Sequence, residues 1–114
     1  MRAIGCFFVF ISVALGAFGA HAMNLQGAER HYFDLASHYL AFHGLALLVL
    51  SERLKHSRLL GVLAAGSLIF SGSLYLLAIG LPHWLGMITP IGGTLLLIGW
   101  FAAGVRFVRE SVEK

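Results

Sequence analysis

Four apolar runs dominate this sequence, at about residues 3–21, 35–50, 59–81 and 87–105, and charge gathers in the connections and the C-terminal tail. Eighteen helical residues rise about 27 Å, close to the ~30 Å hydrocarbon core of a bilayer. Apolar residues make up 59% of the 114, charged ones only 11%. A soluble domain of this size cannot hide so much apolar surface. The chain therefore reads as an all-α integral membrane protein, a single domain over 1–114 built as a bundle of four transmembrane helices. A nucleic-acid role would need a basic face in polar surroundings, and the sequence offers none. Cys6 stands alone, which excludes an internal disulfide.

Charge sets the expected orientation. Four crossings put both termini and the 51–58 connection on one side, with Arg2, Arg53, Lys55, Arg58, Arg106, Arg109 and Lys114. Only Arg30 falls on the other. Cations favour the cytoplasmic side, so both termini are expected there. Arg2, the run after it and Ala20-His21-Ala22 also have the form of a secretory leader. The strongly apolar remainder gives a first helix partners, and the expectation is that this helix is retained.

Small residues recur four apart. Ser12, Gly16 and Ala20 share a stripe on the first helix, as do Gly99 and Ala103 on the last, while Gly92 and Gly93 open that last helix. In lipid such positions let backbones approach closely. The stretch Leu15 to His21 joins this packing face to an ionisable group. The second run is short, about 24 Å by helical rise. Asp34 is its candidate cap, and either the helix extends into residues 30–34 or the bilayer thins locally around it.

Four patterns, one per run, carry a resemblance. They are Leu15-Gly-Ala-Phe-Gly-Ala-His21, Ala41-Phe-His43 followed by Gly44-Leu-Ala-Leu-Leu48, Phe70-Ser-Gly-Ser-Leu-Tyr75, and Thr89-Pro-Ile-Gly-Gly93 leading to Gly99-Trp100. In this order they resemble the family known as domain of unknown function 423, small bacterial inner-membrane proteins, and more distantly transmembrane protein 256 of animals. The resemblance implies a multi-pass protein of the bacterial inner membrane. It implies no activity. It picks out His21, His43, Ser71, Tyr75, Pro90, Gly92 and Gly93.

Two constellations bear on chemistry. By depth, His43, Ser71, Tyr75 and Thr94 fall in the outer half of the membrane and are candidates for one polar pocket. Intramembrane ionisable groups usually face a bundle interior or a cavity. There His43 either binds a ligand or relays a proton, or it pins the second helix to the third by hydrogen bonds. At the outer rim, His21, Asp34, His38 and His83 are of metal-ligand type, with Asp34 and His38 four apart, but they form no compact motif. Haem held by His21 and His43 is disfavoured, because they lie about three helical turns apart in depth. No cofactor is expected.

No nucleophile–base pair, phosphate loop or carboxylate dyad is visible, so the expectation is a non-enzyme. The leading reading is an accessory or scaffold subunit that associates in the bilayer with other membrane proteins or with itself. The alternatives are a small oligomeric transporter, channel or ligand-binding protein using the outer pocket, and a metal or haem carrier at the periplasmic rim.

Overall fold

The computed structural model describes residues 1–19, 26–54, 58–80 and 83–113. Every regular element among them is helical. In order they are α1 (Arg2–Ala14) with a π-helical turn at Leu15–Gly19, α2 (Gly27–Arg53), α3 (Arg58–Ala78), a 3-10 turn at His83–Met87, and α4 (Thr89–Glu113). Three stretches are long and apolar enough to cross a membrane: Gly27–Arg53, Arg58–Ala78 and Trp84–Val112. The apolar helix Arg2–Ala17 is shorter.

Two boundaries differ from those expected. The run 3–21 is not one uninterrupted α-helix: its α-helical part stops at Ala14. Gly16 and Gly19 follow within five residues, and each costs the helix in backbone entropy. The Leu15 amide is shared between the carbonyls of Ile11 and Ser12, where the ladder widens into the π turn. The second helix begins at Gly27, well before Leu35. Asp34 is therefore not its cap. It lies inside the helix and pairs with Arg30, Nε to Oδ1 at 3.2 Å, an i,i+4 contact. The actual first turn holds Glu29, where a carboxylate suits the helix dipole.

α2 is the central element, packed on α1 on one side and α3 on the other; α3 in turn packs on α4. One apolar core joins Phe8, Leu47, Leu63 and Leu96 from all four helices. A smaller cluster sits around Phe33 and Ala78, with Leu15 and Tyr75 against it.

Glycines set the closest crossings. A Cβ on Gly5 would stand 2.6 Å from the Gly44 carbonyl oxygen, and one on Gly44 2.7 Å from the Gly5 oxygen. α1 and α2 thus meet backbone to backbone. α3 and α4 do the same at Gly66 and Gly92, where a Gly92 Cβ would lie 2.5 Å from the Phe70 amide nitrogen. With lipid outside, such contacts replace the hydrophobic effect as the force between helices.

Of the packing residues expected from sequence, Ser12 is buried and donates to the Val9 carbonyl of its own helix at 2.8 Å. Gly99 abuts Leu63, and Gly93 makes ordinary contact with the Phe70 ring. Gly16 faces open space, because the π turn carries it off the α1–α2 seam. Ala20 lies outside the described residues.

The cation-bearing segments gather at one end. Arg2 Nη2 lies 4.0 Å from Glu52 Oε1, which sets the start of α1 beside the end of α2. Leu59, near the start of α3, shares a surface groove with Arg106 and Arg109 of α4.

Candidate functional site

Among the described residues, three pairs of polar side chains meet across helix interfaces. Ser37 of α2 and Tyr75 of α3 share a hydrogen bond of 2.7 Å. Ser73 of α3 donates to the Phe70 carbonyl at 2.9 Å and meets Thr89 of α4 at 2.6 Å. Its proton being committed, Ser73 accepts from the Thr89 hydroxyl. Finally, Trp100 Nε1–H of α4 donates to His43 Nε2 of α2 at 2.9 Å.

That last bond fixes the histidine's chemistry. An indole N–H only donates, so Nε2 accepts and the ring proton sits on Nδ1. Nδ1–H donates to the Tyr39 carbonyl at 2.7 Å. His43 is 3% exposed, and both its nitrogens are engaged. A proton added at Nε2 would face the Trp100 N–H, and a metal there would displace it.

Around this pair runs an aromatic wall. Tyr39 lies 4.8 Å from Phe70 between ring centroids and stacks on His43 at 6.1 Å. Phe42 stands 5.9 Å from Trp100. The wall borders a cleft of about 810 Å³ between α2 and α4, floored by Phe70 of α3 and rimmed by His38, Pro90 and Thr94. The reason is local. Gly93 leaves its side of α4 without bulk, and α4 rests on α3, touching α2 mainly through Trp100.

The expected pocket is thus divided. His43 and Thr94 border the cleft, while Ser71 and Tyr75 are not among its walls. Tyr75 turns instead to Ser37 and packs edge-on against Phe33, centroids 5.2 Å apart. Ser71 is buried, and its hydroxyl, like that of Ser67, has no hydrogen-bond partner among the described residues. Thr94 donates to the Pro90 carbonyl of its own helix at 2.8 Å. The histidine pins α2 to α4, not to α3 as sequence order suggested.

At the rim, Asp34 is paired with Arg30 and His38 is exposed on the cleft. His21 and the side chain of His83 lie outside the described residues. Among those described, no three His, Cys, Asp or Glu side chains are placed to hold a metal ion.

Sequence reasoning missed Trp100, Tyr39 and Phe42. One signal was available: an indole in mid-span needs an acceptor, and His43 is the imidazole at mid-span.

Comparison with known proteins gives one consistent answer. The family described as "Protein of unknown function (DUF423)" matches residues 15–93. UPF0382 inner membrane protein YgdD of Escherichia coli (strain K12) is 36% identical over 115 residues, covering 91% of this chain and 88% of that protein. UPF0382 membrane protein SAB0533 of Staphylococcus aureus is 40% identical, covering 85% of each chain. A UPF0382 membrane protein of Haemophilus influenzae is 41% identical, covering 82% of this chain and 81% of its own. No solved structure matches the chain.

Proposed function

The chain belongs to the DUF423 family of proteins of unknown function, and on that premise we propose a non-catalytic, multi-pass inner-membrane protein that works by lateral association. It crosses the bilayer four times, with both termini in the cytoplasm. Its partners are other membrane proteins or further copies of itself. It takes no nucleic acid and needs no metal or haem.

The observation that carries the non-catalytic reading is the pairing of interior polar groups. Ser37 with Tyr75, Ser73 with Thr89 and His43 with Trp100 each share a hydrogen bond across a helix interface. Side chains so engaged hold helices in place. A reacting group must instead be free to meet a substrate.

Four crossings are supported by the end-to-end arrangement. Arg2 to Gly19, the α-helix and its π turn together, reach roughly 25 Å, enough to span with slight local thinning. The start of α1 lies beside Glu52, so an even count keeps Arg2, Arg53, Arg58, Arg106 and Arg109 together. The charge rule then places that end in the cytoplasm.

Lateral association is supported by what the bundle leaves uncovered. Phe7, Phe10 and Val13 of α1 and Leu97, Phe101 and Val108 of α4 are all strongly exposed. Little of the chain stands outside the spans to act in water. The test is purification from native membranes at native abundance in mild detergent, with mass spectrometry of what accompanies the protein. A stoichiometric membrane-protein partner or a defined homo-oligomer is expected. A solitary monomer contradicts the reading.

A further inference from the structure

We propose that the cleft between α2 and α4 binds an uncharged, lipid-soluble molecule whose flat ring carries carbonyl or hydroxyl oxygens, the chemistry of an isoprenoid quinone. The proposal needs the cleft alone and stands apart from any accessory role.

Size comes first. At about 810 Å³ the cleft falls within the usual ~300–1,000 Å³ of small-molecule sites. Its walls then decide the class of ligand. Among the described residues, no Lys, Arg, Asp or Glu lines it. An anionic phospholipid headgroup would find no cation there, and a cationic ligand would find no carboxylate. Stacked rings favour another flat ring, by offset or edge contact. Tyr39, Phe42 and Trp100 supply such faces and edges, and Leu97 adds aliphatic wall for a tail.

Few polar side chains line the cleft among the described residues. His43 is already committed to Trp100 and Tyr39. The Tyr39 hydroxyl and the His38 ring make no hydrogen bond among the described residues. Each can donate to a ligand oxygen. A saturated acyl chain would fill the volume but leave both donors unused. Because the cleft lies between helices read as spanning the bilayer, such a ligand would arrive from the lipid.

The test uses the full chain in phosphatidylcholine nanodiscs with a decyl-substituted benzoquinone as probe. The protein has two tryptophans, so Trp84→Phe leaves Trp100 as the one reporter. The probe should quench Trp100 emission along a saturable curve. Gly93→Leu fills the cleft. A Cβ there would stand 3.6 Å from Phe70 Cδ2, an ordinary contact. This change should weaken binding about tenfold or more, leaving only linear collisional quenching.

Tyr39→Phe keeps the ring and removes the donor; it should weaken the benzoquinone and leave a decylbenzene control unaltered. Decylbenzene itself should compete poorly. Quenching that is linear in the parent protein overturns the proposal. So does equal competition by decylbenzene, which would make the cleft an acyl-chain groove. If Gly93→Leu does not fold, Tyr39→Phe decides alone: unchanged affinity for the benzoquinone overturns the proposal.

Discussion

Trp100 and His43 are joined across the α4–α2 interface by an N–H···N hydrogen bond of 2.9 Å, the indole donating to Nε2. It ties the last helix to the central one. Its direction dictates the Nδ1–H tautomer of a buried imidazole.

Breaking that link should loosen α4. Trp100→Phe removes the donor, leaves Nε2 unsatisfied and thins the core beside Phe42. His43→Phe removes the acceptor. In a double-mutant cycle the coupling between the two should be about 0.6–1.7 kcal/mol, the range for hydrogen bonds inside membrane bundles. Reversible unfolding in mixed micelles measures it. Nitrogen NMR of labelled histidine should show His43 protonated on Nδ1 and not on Nε2.

Removing a hydroxyl from α3 should have opposite effects at its serines and at Tyr75. Ser67 and Ser71 have buried hydroxyls with no partner among the described residues, so Ser→Ala at either should be neutral or stabilising by up to about 1 kcal/mol. Tyr75→Phe strips Ser37 of its partner across the α2–α3 seam and should cost about 0.5–1.5 kcal/mol. The same unfolding assay reads both. Loss of stability on Ser71→Ala would show that its hydroxyl has a bound partner.

Helix crossings should be intolerant at specific glycines only. Gly44→Ala and Gly92→Ala force a methyl against a facing backbone and should cost about 1–3 kcal/mol, as overpacking does. Gly72→Ala and Gly104→Ala meet nothing within 4 Å. Both lie inside helices, so they should be neutral or raise stability by about 0.5–1 kcal/mol. Thermal melting of the four variants in one detergent makes the comparison.

Much of the helix layout was legible in the sequence, because uninterrupted apolar runs follow from the lipid solvent. α3 and the body of α4 fall close to the runs 59–81 and 87–105. The start of α2 was hidden. Glu29, Arg30 and Asp34 break the apolar pattern yet continue the helix as its polar end, and an apolar-run criterion reads burial in lipid rather than helicity. Side-chain pairing was less legible still. Depth arithmetic put His43 near Tyr75 in the neighbouring helix, but depth says nothing of rotation about the helix axis. That rotation turns Tyr75 toward Ser37 and His43 toward Trp100. Gly5 and Gly44 went unnoticed as a packing pair for the same reason: neither has a small residue four places away in its helix, and only the crossing makes them a pair.

Everything rests on the number of crossings and on which face holds the charged ends. Full-length fusions to green fluorescent protein and to alkaline phosphatase, at each terminus in separate strains, measure this directly. The account predicts fluorescence and no phosphatase activity at both ends. Phosphatase activity at either end would place Arg2 or the Arg106–Arg109 segment across the membrane from the other and contradict the four-span bundle.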